Sequence, residues 1–319
     1  MRLRIIFSVL GIAMFFLIPK LFADYNLYQF CLIAVTSLIV LGLVIVTGIA
    51  GQISLGQSAF VALGGYGAAI LATNWGVPLW LGIPLVAVLV ATVGFLLGLM
   101  TLRVEGHYLA LTTMAFTAIV QLALVHADAV TGGAAGMPVP SFELFGKSLS
   151  TGAELYYLIV PITALLFIVV INLNNSRTGR VFAAIRQSEI AAEAMGVNIL
   201  VYKASAFAAS AFLGAIGGGL LAILVTYLDP AQFGITQTVY YLAIAVVGGL
   251  LSPFGAIIGT TVFVFLPEFL QTFQTYLGLV FGIMLLGFIV LRPKGLASLI
   301  DIENLKKIVF KSRRESVGS

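Results

Sequence analysis

Cysteine is nearly absent. Cys31 stands alone in 319 residues, so no internal disulfide can form, and one thiol with two histidines cannot build a structural metal shell. Charge is scarce as well: 9% of residues are charged against 61% hydrophobic, and the mean hydropathy of +1.14 lies outside the range of water-soluble domains. Apart from Lys20 at the end of the first apolar run, the runs hold no Asp, Lys or Arg, and Glu268, next to Pro267, is their one carboxylate. Carriers coupled to protons usually keep an ionisable side chain within the membrane, and this chain has none to offer. Sodium coupling through unwound backbone carbonyls stays open, because it needs no charged side chain. No nucleophile, base and orienting acid can be assembled from His107, His126 and carboxylates scattered over loops, so an enzyme is not expected, nor any cofactor or metal. The stretch Phe145 to Ser148, "FGKS", imitates the end of a phosphate loop but has Ser141 where the motif requires glycine.

What the chain does have is long apolar runs, continuous and not alternating, which favours helices over a barrel. About ten are long enough to be considered as spans, some only with snorkelling or local thinning. They run from Ile5 to Phe22, Tyr28 to Ala50, Ser58 to Ala72, Leu81 to Thr101, Tyr108 to Val125, Leu155 to Ile171, Ala204 to Leu228, Thr238 to Leu250, Gly255 to Leu270 and Leu277 to Leu291. The third, eighth and ninth are short enough to be broken or re-entrant. The first is read as a retained span, since no clear cleavage site follows it. The expected fold is therefore an all-α polytopic membrane protein, residues 1–319 forming a single transmembrane domain. Glycine pairs four apart (Gly94/Gly98, Gly214/Gly218, Gly255/Gly259, Gly278/Gly282) indicate closely packed helices.

With both termini placed in the cytoplasm, Lys20 and Lys147 are the only basic residues left outside. The formal charge of +4 then reflects span ends and a basic tail at 292–319, whose Leu305 to Arg314 run suits anionic lipid better than nucleic acid, and no nucleic-acid role is expected. Two stretches share a layout: "GQISLGQSAFVALGG" from Gly51 and "AQFGITQTVYYLAIAVVGG" from Ala231. Each has a glutamine, four residues, a second glutamine, a hydroxyl residue and an apolar helix ending in Gly-Gly. In the assumed topology Gln52 and Gln57 lie at the inner face and Gln232 and Gln237 at the outer, as inverted repeats would place them. Gln52, Ser54, Gln57, Ser58, Gln232 and Gln237 are thus the candidates for lining a translocation path, with a turn satisfying its own backbone as the plainer alternative for the first four.

One passage is polar. From Thr178 to Met195 a helix is expected, capped by Ser176 or Thr178 and stopped by Gly196, within a cytoplasmic loop at 172–203. Arg186, Glu189 and Glu193 would form its charged stripe, beside a smooth face of Ala191, Ala192 and Met195. Such a helix suits a groove on a soluble partner; a solvated connector is the alternative.

"IAAEAMG", Ile190 to Gly196, resembles the Glu-Ala-Ala-x-x-x-Gly coupling motif of ABC importer permeases, matching at Ala191, Ala192 and Gly196. It departs from that motif at Ile190, with Glu189 one place early. Together with "GQISLGQSAFVALGGYGAAIL" (Gly51 to Leu71), "GHYLALTTMAF" (Gly106 to Phe116), "TGGAAGMPVP" (Thr131 to Pro140), "SRTGRVFAAIRQSEIAAEAMGVN" (Ser176 to Asn198) and "RPKGLASL" (Arg292 to Leu299), it resembles the LivM branch of branched-chain amino acid permeases. The resemblance implies a permease in a bacterial or archaeal cytoplasmic (inner) membrane. It also implies a LivH-like permease partner, two cytoplasmic ATPase subunits, an extracytoplasmic solute-binding protein, and Leu, Ile or Val as substrate. Related permeases serve urea and short amides, and Gln57 stands where the family often has histidine. Contact with the ATPases would fall to Arg180, Arg186, Glu189, Ala191, Ala192, Glu193 and Gly196. A self-contained ion-coupled carrier is the rival reading.

Overall fold

The computed structural model describes residues 22–100, 107–144, 147–149 and 151–269, with Pro19, Gly282, Gly287 and residues 295–297 as isolated positions. Apart from those isolated positions and Phe22, the expected first and last spans and the basic tail lie outside the described residues, as do Arg103 and the Gly278 member of its pair.

The described chain is mostly helical, with four very short strands and irregular connections. In order it forms α1 (Asp24–Leu43), which continues as a π-helical turn (Val44–Ile49), then α2 (Gln57–Trp75), α3 (Leu79–Met100), α4 (His107–His126) and the short α5 (Asp128–Thr131). Strands β1 (Met137–Pro138), β2 (Phe142–Leu144) and β3 (Lys147–Leu149) lead into α6 (Gly152–Asn175), α7 (Arg177–Gln187), α8 (Glu189–Ala194) and α9 (Ile199–Val225). Finally β4 (Tyr227–Leu228) precedes α10 (Ile235–Gly248) and α11 (Pro253–Phe269). Among the described residues five helices are long and apolar enough to cross a bilayer, and six spans result if α10 and α11, bent by 114° at a short break, count as one. Large apolar side chains stand exposed along α3, α4 and α6, among them Leu89, Leu111, Ile119 and Leu165, a surface suited to lipid and not to water. The chain is an all-α polytopic membrane protein.

Burial sorts the helices into layers. The α1 rod and α9 are each 72% buried over their apolar windows, whereas α3, α4 and α6 are 28–33% buried and form the outside. Glycine brings helices close to one another, both within the inner layer and between it and the outer one. A methyl group at Gly218 of α9 would lie 2.0 Å from the Val61 carbonyl oxygen of α2, and one at Gly98 of α3 would lie 2.4 Å from Ala204 Cα. Backbones this close gain dispersion contacts that side chains would otherwise hold apart.

The two ends of the bundle differ in charge. Arg177, Arg180, Arg186 and Lys203 lie at the end where α1 and α6 finish and α9 begins. Asp24, Asp128, Glu154 and Asp229 lie at the opposite end. At this acidic end β1 pairs antiparallel with β4, Met137 opposite Leu228, and Tyr66 donates its hydroxyl to the Leu228 carbonyl at 3.0 Å. These bonds seal the gap between α2, α9 and the 132–138 loop.

The structure corrects two expectations. The polar passage is not one helix from Thr178 to Met195 but α7 and α8, separated at Ser188, whose extended backbone (φ −161°) breaks the first and whose hydroxyl accepts the Ala191 N–H to begin the second. Ser176 caps α7 by accepting the Gly179 N–H, and Gly196, at φ +82°, ends α8 in the left-handed conformation that glycine adopts without cost. Secondly, Gln57 does not lie at an end of the bundle: it is wholly buried and bonded to the middle of α1.

Candidate functional site

The α1 rod ends at the π-helical turn, where Ala50 N–H bonds to Ile45 O and Gln52 N–H to Val46 O. Gly51, at φ +75°, then turns the chain back into the bundle. Residues Gln52 to Gly56 run inward without helical structure, and α2 starts at Gln57, level with Ile39. Ile39 lies about ten residues short of the rod's end, so α2 begins roughly 15 Å inside at 1.5 Å per residue. Irregular backbone inside a bundle needs partners for its polar groups. Hydroxyls supply them: Thr113 accepts from Leu55 N–H at 2.8 Å, Thr117 donates to Leu55 O at 2.9 Å, and Thr47 accepts from Ser54 N–H at 3.4 Å.

At the inner tip of this segment the Gln57 amide spans three helices. Its Nε2 donates to Ile39 O at 2.8 Å, and its Oε1 accepts from Ser210 Oγ at 2.9 Å. Gln57 thus ties α2 to α1 and α9. Ser58 is different. Its N–H donates to Thr238 Oγ1 of α10 at 3.2 Å, both residues are fully buried, and its own hydroxyl has no partner among the described residues. Since α10 leads from Thr238 to Gly248 at the basic end, two helix N-termini meet inside the bundle, one reached from each side. Their macrodipoles direct positive potential at the meeting point. Ser54 is buried and accepts Gly56 N–H within its own turn. Gln232 is exposed on a 3-10 turn at the acidic end, and Gln237 is hydrogen-bonded to Tyr241.

At the basic end the expected coupling residues divide between two roles. Arg186, an exposed residue, lies against the end of the rod: its Nη1 donates to Gly48 O at 3.0 Å, and its aliphatic stem covers Gly51 so closely that a methyl group there would lie 2.6 Å from Arg186 Cγ. Glu189 folds back onto α9 and pairs with Lys203 at 2.6 Å. Arg180 donates to Asn175 O at 3.3 Å, which ties α7 to the end of α6. Arg186, Glu189 and Glu193 do not share one helix, since the break at Ser188 leaves Arg186 on α7 and the two glutamates on α8. Nor is there one smooth face: Ala192 is buried while Ala191 is exposed, and Ile190 and Met195 are 83% and 86% exposed. Glu193 is exposed too and lines a cavity beside Gln52.

The permease-component model of branched-chain amino acid transport systems matches residues 26–289, most of the chain. The chain belongs to this family. It is 31% identical over 280 residues to the high-affinity branched-chain amino acid transport permease protein LivM of Escherichia coli, covering 80% of this chain and 66% of the relative. The LivM protein of Salmonella typhimurium gives the same figures. A ribose import permease protein, RbsC, of Haemophilus influenzae is 26% identical over 250 residues, 75% of this chain and 73% of that one. The chain thus spans just under two thirds of the length of the two LivM proteins. No solved structure matches. Within this permease, sequence reasoning missed Thr238, Ser210, Gly48 and Lys203. Thr238 was visible as the hydroxyl aligned with Ser58 in the repeated layout, whereas nothing local marks Ser210 or Gly48 as partners of residues far along the chain.

Proposed function

We propose that this permease is one membrane subunit of a binding-protein-dependent ABC importer for Leu, Ile, Val or related small polar solutes, with ATP hydrolysed by partner subunits. The assembly would comprise a LivH-like second permease, two ATPase subunits on the cytoplasmic side and an extracytoplasmic solute-binding protein. The basic end is assigned to the cytoplasm, because Lys and Arg accumulate there in membrane proteins. The Gly51 and Ala231 stretches are taken as inverted repeats meeting at Ser58 and Thr238, where a path would open between α2 and α10. With no charged side chain there among the described residues, such a site would bind its solute weakly through hydroxyls, amides and helix ends, and the binding protein would do most of the selecting.

The observation that carries the reading is the shape of α7 and α8. Two large apolar side chains, Ile190 and Met195, project from a polar helix at the basic end, while Arg186 behind them holds the start of the re-entrant segment. Exposed apolar knobs on a charged helix fit a groove on a soluble protein, here the ATPase. Motion of that groove would pass through Arg186 to Gly48 and Gly51, then along Gln52 to Gly56 to the Ser58–Thr238 contact.

Replacing both knobs by glutamate (Ile190→Glu with Met195→Glu) should reduce the ATPase recovered with the purified permease about tenfold or more, since hot-spot truncations cost about 2 kcal/mol or more. The permease itself should reach the membrane at its usual level, because neither side chain is part of the core. Undiminished ATPase recovery would refute the docking assignment.

A further inference from the structure

Between α8, the start of α9 and the Gly51 turn lies a cavity of about 990 Å³ at the basic end. Its lining holds an arrangement that helix docking does not use. Lys203 has only 9% of its side chain exposed, and its partner among the described residues is Glu189, itself half exposed. Gln52 is 5% exposed, and neither its Oε1 nor its Nε2 has a partner among the described residues. A buried amide left without hydrogen bonds is costly unless a ligand or water satisfies it. Glu193 supplies a second carboxylate to the same wall, and Leu109 and Leu200 supply apolar surface.

The geometry points to a binding site for a free aliphatic α-amino acid, entered from the cytoplasm. Lys203 and the Gln52 amide take the carboxylate, Glu189 and Glu193 take the ammonium, and Leu109 and Leu200 cover the side chain. Both signs of charge on facing elements, with an apolar patch between, match a zwitterion better than a simple ion. A ligand carboxylate competes with Glu189 for Lys203, so filling the site loosens the bond that holds α8 to α9. Accumulated product would thereby act on the same element that meets the ATPase. This inference deepens the reading above and rests on its substrate class and orientation.

The test uses the assembled transporter in inside-out vesicles with Val197, on the cavity wall, replaced by cysteine. The native Cys31 is fully buried, so a membrane-impermeant maleimide reports on the new thiol. Millimolar leucine should slow labelling at least threefold, whereas isocaproate, without the ammonium, and isoamylamine, without the carboxylate, should not at equal concentration. Gln52→Leu and Lys203→Met should each raise the leucine needed for half-protection about tenfold, as expected on losing a hydrogen bond to a charged group. Equal protection by all three compounds, no protection, no labelling in the absence of ligand, or protection by the ATPase subunits alone would each overturn the site. ATP-driven transport of labelled Leu, Ile and Val is measured in the same preparations. Transport without protection defeats this site alone, while protection without transport of any of the three defeats the substrate reading.

Discussion

Arg186→Met should uncouple the transporter: solute uptake falls tenfold or more while ATP hydrolysis by the assembled complex remains within about twofold. A hydrogen bond from a charged donor contributes about 1.5–3 kcal/mol, a factor of roughly ten to a hundred in the equilibrium it biases. Methionine keeps most of the aliphatic stem that lies over Gly51 but cannot donate to Gly48 O. The substitution therefore separates the directional bond from simple packing. Arg186→Lys should recover part of the lost uptake, since an ammonium on a shorter stem retains a donor for the same carbonyl. Uptake and hydrolysis measured together in proteoliposomes decide the matter, and a parallel fall of both would mean that Arg186 serves assembly only.

Gly218→Ala should be nearly as damaging, by another route. The added methyl group would meet the Val61 carbonyl oxygen at 2.0 Å, its carbon at 2.8 Å and Gly65 N at 3.0 Å, all of them helix backbone with no rotamer to give way. Relief requires α2 and α9 to separate, and overpacking of this kind costs about 1–3 kcal/mol or more. The same shift would disturb Gln57, whose amide joins α2 to α1 and α9. A melting temperature lower by roughly 5 °C in detergent, with less protein in the membrane, is expected. Gly82→Ala on α3 is the contrast: its nearest neighbour would be Ala68 O at 3.9 Å, and alanine favours a helix by about 0.5–1 kcal/mol. That variant should melt at or slightly above the parent temperature.

How much of this was legible in the sequence depends on whether the signal was local. The apolar runs gave the helices of the periphery and core directly, because a helix in lipid satisfies its own backbone and need only be apolar. Depth was harder to read. Gly51 to Gly56 carries no charge and is equally compatible with a surface turn. Its re-entry becomes evident only through Thr113, Thr117 and Thr238, hydroxyls that look like ordinary span residues when read alone. Ser58 and Thr238, which hold the same place in the two glutamine-containing stretches, touch, and neither stretch read alone marks that contact. For the polar passage the existence and both outer limits of a helical segment were readable from Ser176 and Gly196. The break at Ser188 was not anticipated, although a serine followed by Glu189 is itself a helix start. Lys203 was read as an ordinary charge at a span end, and its burial follows from Glu189 folding back across that break.

That α2 and α10 part at their N-termini to let the solute through is best tested by tying them together. With Cys31→Ala removing the native thiol, Ser58→Cys and Thr238→Cys put thiols on two residues already joined by the 3.2 Å bond from Ser58 N–H to Thr238 Oγ1, and a disulfide between them is the expected product of oxidation. Oxidation should form the bridge and stop ATP-driven uptake, and a reductant should restore it. Uptake continuing at its full rate with the bridge quantitatively formed would contradict the account.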